Sequence, residues 1–350
     1  MPWDIAALLI EAVRTGASDL HLSTGVPPTL RIDGALRPLD LPVLNPPDTL
    51  QMIYSLMNPE QKVKFEQNWE LDFSIEVRDI GRFRVNVHRQ RGAVEAAFRV
   101  VNERIRSLRQ LGLPPVVEEI ARYDSGLILI TGPTGSGKTS TMAAMIDQIN
   151  QERPSVIITI EDPIEYIHQH RRSIVKQREV TSDTLSFTAA LRHVLRQDPD
   201  VIGIGEMRDL ETIGTALTAA ETGHLVLATI HTPDTIQTVD RIIDVFPPAQ
   251  QQQIRIQFSS VLQAIIAQQL LPVPGRQGRV VACEILIATL AAKKVIRAAK
   301  TEQLITVIQT GTEHGMVSMD KSLKSLYQQG LITYDDAMSK VKYPEAWDHI

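Results

Sequence analysis

The sequence predicts a two-domain α/β chain, with a small α+β domain followed by a larger domain built on a parallel sheet. Three observations predict it. From about Val116 onward short apolar runs alternate with helical patterns, as parallel strands joined by crossover helices do. Before residue 103 the apolar residues mostly alternate with period two, around two helical stretches. Between these regions, Asn102 to Pro115 contains Arg104, Arg106, Arg109, Gly112, Pro114 and Pro115, a charged run with chain breakers that reads as a hinge. A chain of 350 residues exceeds the usual single-domain size, which agrees with this division. The expected boundaries are 1–103, 104–115 and 116–350.

The elements follow in order. Asp4 caps an amphipathic helix beginning at Ile5, and early acids with no basic run before it exclude a signal peptide. Thr29 to Gly34, through Asp33, reads as a strand entering a turn. Asp48–Met57 and Pro59–Glu66 read as helices, and Glu70–Val77, Gly81–Arg89 and Ala93–Val101 as strands. In the second domain the strands are Gly126–Thr131, Ser155–Ile160, Val201–Ile204 and Leu225–Ile230. From Pro247 onward the chain reads as mostly helical, interrupted by a strand at Val280–Leu286, and the run Gln250–Gln253 sits in a helical pattern.

Composition narrows the function classes. The chain is 43% hydrophobic and 22% charged, ordinary for a globular protein with real cores. With 36 basic and 41 acidic residues the formal charge is −5, so no global field draws it onto nucleic acid. A single cysteine, Cys283, excludes a disulfide framework and a cysteine-rich zinc module, and suits a reducing cytosol. No apolar run is long enough to predict a transmembrane segment. The expectation is a cytoplasmic protein without a nucleic-acid partner.

The chemistry concentrates in the second domain. Gly132-Pro133-Thr134-Gly135-Ser136-Gly137-Lys138-Thr139 is a complete G-x-x-x-x-G-K-[ST] phosphate-binding loop, placed directly after the apolar run Leu127–Ile130. Its glycines let backbone N–H groups curl around phosphates, and the following helix offers its positive end to them. Pro133, Thr134, Gly135, Ser136, Gly137, Lys138, Thr139 and Ser140 are the expected contacts to ATP. Lys138 would reach the β- and γ-phosphates and the Thr139 hydroxyl would ligate Mg²⁺.

Acids supply the rest. Val201–Ile204 leads through Gly205 to Glu206, an acid at a strand end that is expected beside the phosphate loop, holding Mg²⁺ through water. Its alternative reading is an acid capping the helix that starts near Asp209. Glu161, Asp162 and Glu165 follow another buried strand, and any of the three could take a proton from an attacking water. His224 and His231 bracket Leu225–Ile230 seven residues apart, on opposite faces by pleat alternation, so a shared metal site is not expected. His231, at the C-terminal end, could sense a γ-phosphate. Arg82, Arg84, Arg89, Arg91 and Arg99 crowd two segments of the first domain, either as solvated surface or as arginines that complete a neighbouring subunit's site.

Together these strings resemble the type IV pilus retraction ATPases (the PilT family) of the secretion ATPase superfamily, over nearly the whole chain. Ser18-Asp19-Leu20-His21-Leu22, Pro27-Pro28 and Arg31-Ile32-Asp33-Gly34 are similar to the family's PAS-like N-terminal domain. Gly132–Thr139 is similar to its Walker A loop, Glu161–Tyr166 to its Asp box, Gly205–Asp209 to its Walker B segment and Gly223–Thr232 to its His box. The resemblance implies a RecA-like P-loop ATPase core in a hexameric ring that turns over ATP with Mg²⁺ to retract the pilus. It also implies an inner-membrane platform protein as partner, peripheral association with that membrane, and a possible paralogous pilus ATPase. Glu165 matches the position of the general base, Glu206 the Walker B acid, His224 and His231 the His-box pair. Arg82 and Arg99 resemble the arginines that reach toward nucleotide. The pilus-assembly and type II secretion cousins carry a tetracysteine zinc element that one cysteine cannot supply. The family's Ala-Ile-Arg-Asn-Leu-Ile-Arg-Glu motif departs here to Ala291-Ala292-Lys293-Lys294-Val295-Ile296-Arg297-Ala298. That departure leaves two assignments open, the main retraction motor or an accessory, weakly hydrolysing paralogue. A nucleic-acid translocase on the same core is the remaining alternative.

Overall fold

The computed structural model describes residues 4–32, 34–77, 80–101, 105–275 and 278–349, apart from the side chains at 346, 348 and 349. The expectations at Asp33 and at Asn102–Arg104 fall outside the described residues. Two compact units emerge, Met1–Arg104 with Glu165–Ile167, and Ile105–Ile164 with His168–Ile350.

The first unit begins with α1 (Ile5–Arg14), where the Asp4 carboxylate accepts from the Ala6 N–H at 3.0 Å and Leu8, Leu9 and Ala12 are buried. Then come β1 (Asp19–Leu22), β2 (Thr29–Ile32), β3 (Ala35–Pro38), α2 (Pro46–Leu56), α3 (Pro59–Asn68), β4 (Glu70–Val77), β5 (Gly81–Gln90) and β6 (Ala93–Val100). Both α2 and α3 start at reciprocal capping boxes, Asn45 with Asp48 and Asn58 with Gln61, each followed by proline at the first helical position. The strands form one antiparallel sheet in the order β3-β2-β1-β6-β5-β4. Alternation along β5 sends Phe83, Val85 and Val87 into the core with Leu20 and Phe98, and turns Arg82, Arg84 and Asn86 the other way. β1 and β3 are four-residue strands outside the periodicity reading, and β3, exposed throughout, has no buried face to alternate with.

The second unit contains α4 (Val116–Ile120), β7 (Gly126–Thr131), α5 (Lys138–Glu152), β8 (Val156–Glu161), β9 (Ile174–Glu179), α6 (Phe187–Val194), β10 (Val201–Ile204), α7 (Leu210–Glu221), β11 (Leu225–Ile230), α8 (Thr235–Asp244), α9 (Pro248–Val261), β12 (Leu262–Pro272), β13 (Arg279–Ile287), α10 (Leu290–Arg297), α11 (Leu304–Thr310), α12 (Met319–Gln328) and α13 (Tyr334–Met338). The sheet order is β13-β12-β7-β11-β10-β8-β9, parallel from β12 to β9 with β13 antiparallel at the edge. Leu127, Leu129, Ile202, Ile204, Val226 and Ala228 pack on one face with α7 and α8. Ile128, Ile130, Val201, Leu225 and Leu227 pack on the other with α5. All parallel strands therefore end along one edge, where the loops that follow them meet.

Two expectations change. The region after Pro247 is not mostly helical through to Val280, because Leu262–Pro272 is an eleven-residue strand. Buried on both faces, it lacks the period-two signal and cannot be told from buried helix by pattern alone. Ile174–Glu179, an edge strand, was also not anticipated. The segment read as a hinge, where described, lies with the second unit: Leu108 and Leu113 are in its core, and Arg109 pairs with Glu118 at 2.7 Å. No described helix is long and apolar enough to cross a membrane.

Candidate functional site

The loop between β7 and α5 is shaped by close backbone approach. Gly132 has φ 142°, and a Cβ there would lie 2.4 Å from the Gln268 carbonyl of β12 and 2.5 Å from Ser136 Oγ. Only glycine fits. Lys138 opens α5 and is 7% exposed, with Nζ donating to the carbonyls of Gly132 at 2.8 Å and Pro133 at 3.0 Å. Pro133, Thr134 and Gly135 are exposed, Gly137, Thr139 and Ser140 half-buried. Ser136 Oγ and Thr131 Oγ1 are buried without a hydrogen-bond partner among the described residues. An orphaned hydroxyl in the loop, at the N-terminal end of a helix, suits phosphate oxygens. β12 contributes further through Gln268 Nε2, which donates to Thr141 Oγ1 of α5 at 2.8 Å. The sequence reading missed that tie because it missed the strand.

Glu206 follows β10, and β11 lies between β10 and β7 in the sheet. His231, just past β11, fills the gap. Its Nε2 lies 3.3 Å from Glu206 Oε2, and its Nδ1 lies 3.5 Å from both Lys138 Nζ and Thr134 Oγ1. An ammonium can only donate, so Nδ1 accepts and Nε2–H donates to Glu206. On the far side Arg208 Nη2 donates to the same Glu206 oxygen at 2.7 Å. Burial alone would raise the Glu206 pKa, but the hydrogen bond and charge of Arg208 and the hydrogen bond from His231 outweigh it and hold it below the ordinary carboxylate value. Asp209, not Glu206, caps α7, accepting from the Thr212 N–H at 2.9 Å.

His224 stands at the other end of β11, its Nδ1 2.9 Å from the Ala219 carbonyl and 3.1 Å from Thr222 Oγ1. Six strand residues separate the histidines, so they lie seven rises, about 23 Å, apart at the usual strand rise, and the second unit does not bring them together. Of the three acids at and beyond the end of β8, Glu161, the last strand residue, is 5% exposed and accepts from Thr159 Oγ1 at 2.6 Å and Gln177 Nε2 at 3.0 Å. Asp162 and Glu165 are exposed, and Glu165 groups with the first unit. In that unit Arg82 stands opposite Glu76 on β4, and Arg99 stands opposite Arg84, with its Nε donating to Asp19 at 2.9 Å. In α10 the divergent motif buries Ala292 and Ile296, and Arg297 Nε donates to Ser259 Oγ of α9 at 2.9 Å.

Comparison with known proteins identifies the family. The family profile described as "Type II/IV secretion system protein" matches residues 2–277. The type IV pilus retraction ATPase PilT of Pseudomonas aeruginosa is 47% identical over 342 residues, covering 98% of this chain and 99% of that protein. The type IV pilus ATPase PilU of the same organism is 43% identical over 332 residues, covering 95% and 87%. A crystal structure of the pilus retraction motor PilT with bound ADP superposes with a TM-score of 0.93 at 50% identity, covering 99% of this chain and all of that one. With a complete phosphate loop on a parallel sheet and matches of this length, the chain belongs to the type II/IV secretion system protein family and, within it, to the type IV pilus retraction ATPases.

Proposed function

We propose that this chain is a cytoplasmic Mg²⁺-dependent ATPase motor that works as a homohexamer to retract a type IV pilus, docked on an inner-membrane platform protein. The observation that carries the proposal is the line Lys138–His231–Glu206 at the C-terminal sheet edge, in a chain alike to a retraction motor from end to end. ATP is the substrate. Its phosphates enter the bowl of Pro133 to Ser140, where Lys138 and the N-terminus of α5 offset their charge. Thr139 and, through water, Glu206 would hold Mg²⁺, which supplies further charge neutralisation when bound; hard oxygen donors of this kind suit that ion. Among the described residues no three His, Cys, Asp or Glu side chains cluster as a self-contained metal site, so the ion would share the phosphate oxygens.

Glu165 is the proposed general base. Glu161 is committed to Thr159 and Gln177 and is buried, whereas Glu165 is exposed and open to an attacking water. His231 links the phosphate-binding lysine to the acid that would hold the ion. Arg82 and Arg99 are proposed to reach nucleotide from the first domain, and His224 to act at a subunit boundary, away from its own chain's loop. The domain boundaries proposed are a PAS-like domain to residue 103 and the ATPase domain from 116, joined by a connecting segment whose described part packs with the second unit.

The test is Mg²⁺-dependent ATP hydrolysis across protein concentration. Activity per subunit should climb with concentration to a plateau, as sites completed between subunits require. Lys138→Ala should weaken ATP binding by about a hundredfold, the scale of lost charge-assisted hydrogen bonds. Glu165→Gln should bind ATP and fail to turn it over; full turnover would sink the general-base assignment. A second reading, an accessory paralogue, is favoured only by the altered α10 segment, whose Lys293 and Lys294 replace the family's Arg-Asn pair. Bound ATP with negligible turnover at every concentration would select it.

A further inference from the structure

Strand β9 brackets the acidic loop after β8 with two side chains that have no part in the chemistry above. Gln177 Nε2 donates to Glu161 Oε1 at 3.0 Å, while Gln177 Oε1 accepts from the His168 N–H at 2.8 Å. Two residues on, Glu179 Oε2 accepts from the Ile164 N–H at 3.0 Å. β8 and β9 run parallel in register, Thr159 beside Gln177 and Glu161 beside Glu179, so strand alternation puts both side chains on the same side of β9. The loop from Glu161 to His168 is thereby pinned at its start, its middle and its end. Glu165 follows the middle anchor by one residue and is itself exposed.

Glu179 is built to stay in place. It is 3% exposed, Ser182 Oγ donates to its Oε1 at 3.3 Å, and its own N–H donates to Asp183 Oδ2 at 2.8 Å. A buried carboxylate is costly unless its oxygens are bonded, so a glutamate here needs a task that an apolar residue would not perform. Among the groups it binds is the Ile164 N–H, and that bond fixes the loop at its middle.

We propose that Gln177 and Glu179 are positioning residues for the attacking-water base, setting the backbone on either side of Glu165 so that its carboxylate meets the water in one orientation. The proposal rests on the reading of Glu165 as general base. A base held by an exposed side chain gains its orientation from its backbone, and small misplacements at a reacting centre cost rate far more than binding.

The experiment compares Glu179→Ala, Glu179→Gln and Glu165→Gln in the full chain, measuring kcat, KM and the affinity for ATP. Glu179→Ala should lower kcat by about tenfold to a hundredfold, with KM and ATP affinity within about threefold, because the phosphate loop is untouched. Glu179→Gln keeps an oxygen for the Ile164 N–H and an amide for Ser182, so it should restore kcat to within about threefold. In a Glu165→Gln background, Glu179→Ala should add nothing, since the two act as one unit. An unchanged kcat in Glu179→Ala, with Glu165→Gln inactive, overturns the positioning role and leaves the base assignment standing. Full turnover in Glu165→Gln takes both down. Should Glu179→Ala fail to fold, Gln177→Ala carries the same test: a loss confined to kcat supports the proposal, and unchanged kcat or lost ATP binding overturns it.

Discussion

Replacing Gly203 by alanine puts one methyl group into close packing between two strands and a helix. A Cβ at Gly203 of β10 would lie 2.9 Å from Thr159 Cγ2 on the neighbouring strand and 3.3 Å from Ile146 Cδ1 of α5. The backbone there is ordinary, so space and not conformational freedom demands glycine. Thr159 is poorly placed to yield, because its hydroxyl donates to Glu161 at 2.6 Å and turning the methyl away breaks that bond. Overpacking of this kind costs about 1–3 kcal/mol, and for a domain of this size each kcal/mol shifts the midpoint by about 2–4 °C, so the expected fall is about 2–12 °C. Gly214 in the middle of α7 is the control. Its added Cβ would meet Phe246 at 3.8 Å, ordinary contact, and alanine favours a helix interior by about 0.5–1 kcal/mol, so Gly214→Ala should raise the midpoint. Calorimetry of the two variants reads both signs. A Gly203→Ala midpoint within about 1 °C of the parent, or shifts of the same sign in both, would refute the packing argument.

Two further outcomes follow from the site. His231→Ala should lower kcat by about fivefold to tenfold, a modest effect because its contacts are long and its side chain is 38% exposed; steady-state kinetics with no change in kcat would remove His231 from the reaction. Glu206 has a folded-state pKa below its ordinary value, so its stabilising contribution is complete above that value and is lost as pH falls through the lowered one. Arg208→Ala should therefore melt lower than the parent at neutral pH, with the difference closing in acid; a difference that is independent of pH would show that Arg208 does not act through that carboxylate.

Much of the candidate site was legible because its signals are local. Gly126–Thr131, Val201–Ile204 and Leu225–Ile230 match their strands residue for residue, since each is a short apolar run bounded by breakers. The phosphate loop is a contiguous string whose flanks confirm it. What stayed hidden depends on contacts distant in the chain. β12 was invisible as a strand because both faces are buried, and with it went the Gln268 carbonyl that forbids a side chain at Gly132. β9 was hidden as a short edge strand, and with it the bonds from Gln177 and Glu179 to the loop at Glu161–His168. The insertion of β11 between β7 and β10 is a matter of sheet order, which periodicity does not encode.

The sequence by itself determined that this chain carries a P-loop on a parallel sheet, following in sequence a smaller α+β domain, and it named the residues that could do the chemistry. Tertiary structure decided which of them meet. It set His231 between Lys138 and Glu206, put His224 against the Ala219 carbonyl of α7, and buried Glu161 while leaving Glu165 exposed. The division has a physical cause: residue type and spacing fix local backbone preference, but strand order and close approach arise only when distant segments compete to bury the same apolar surface.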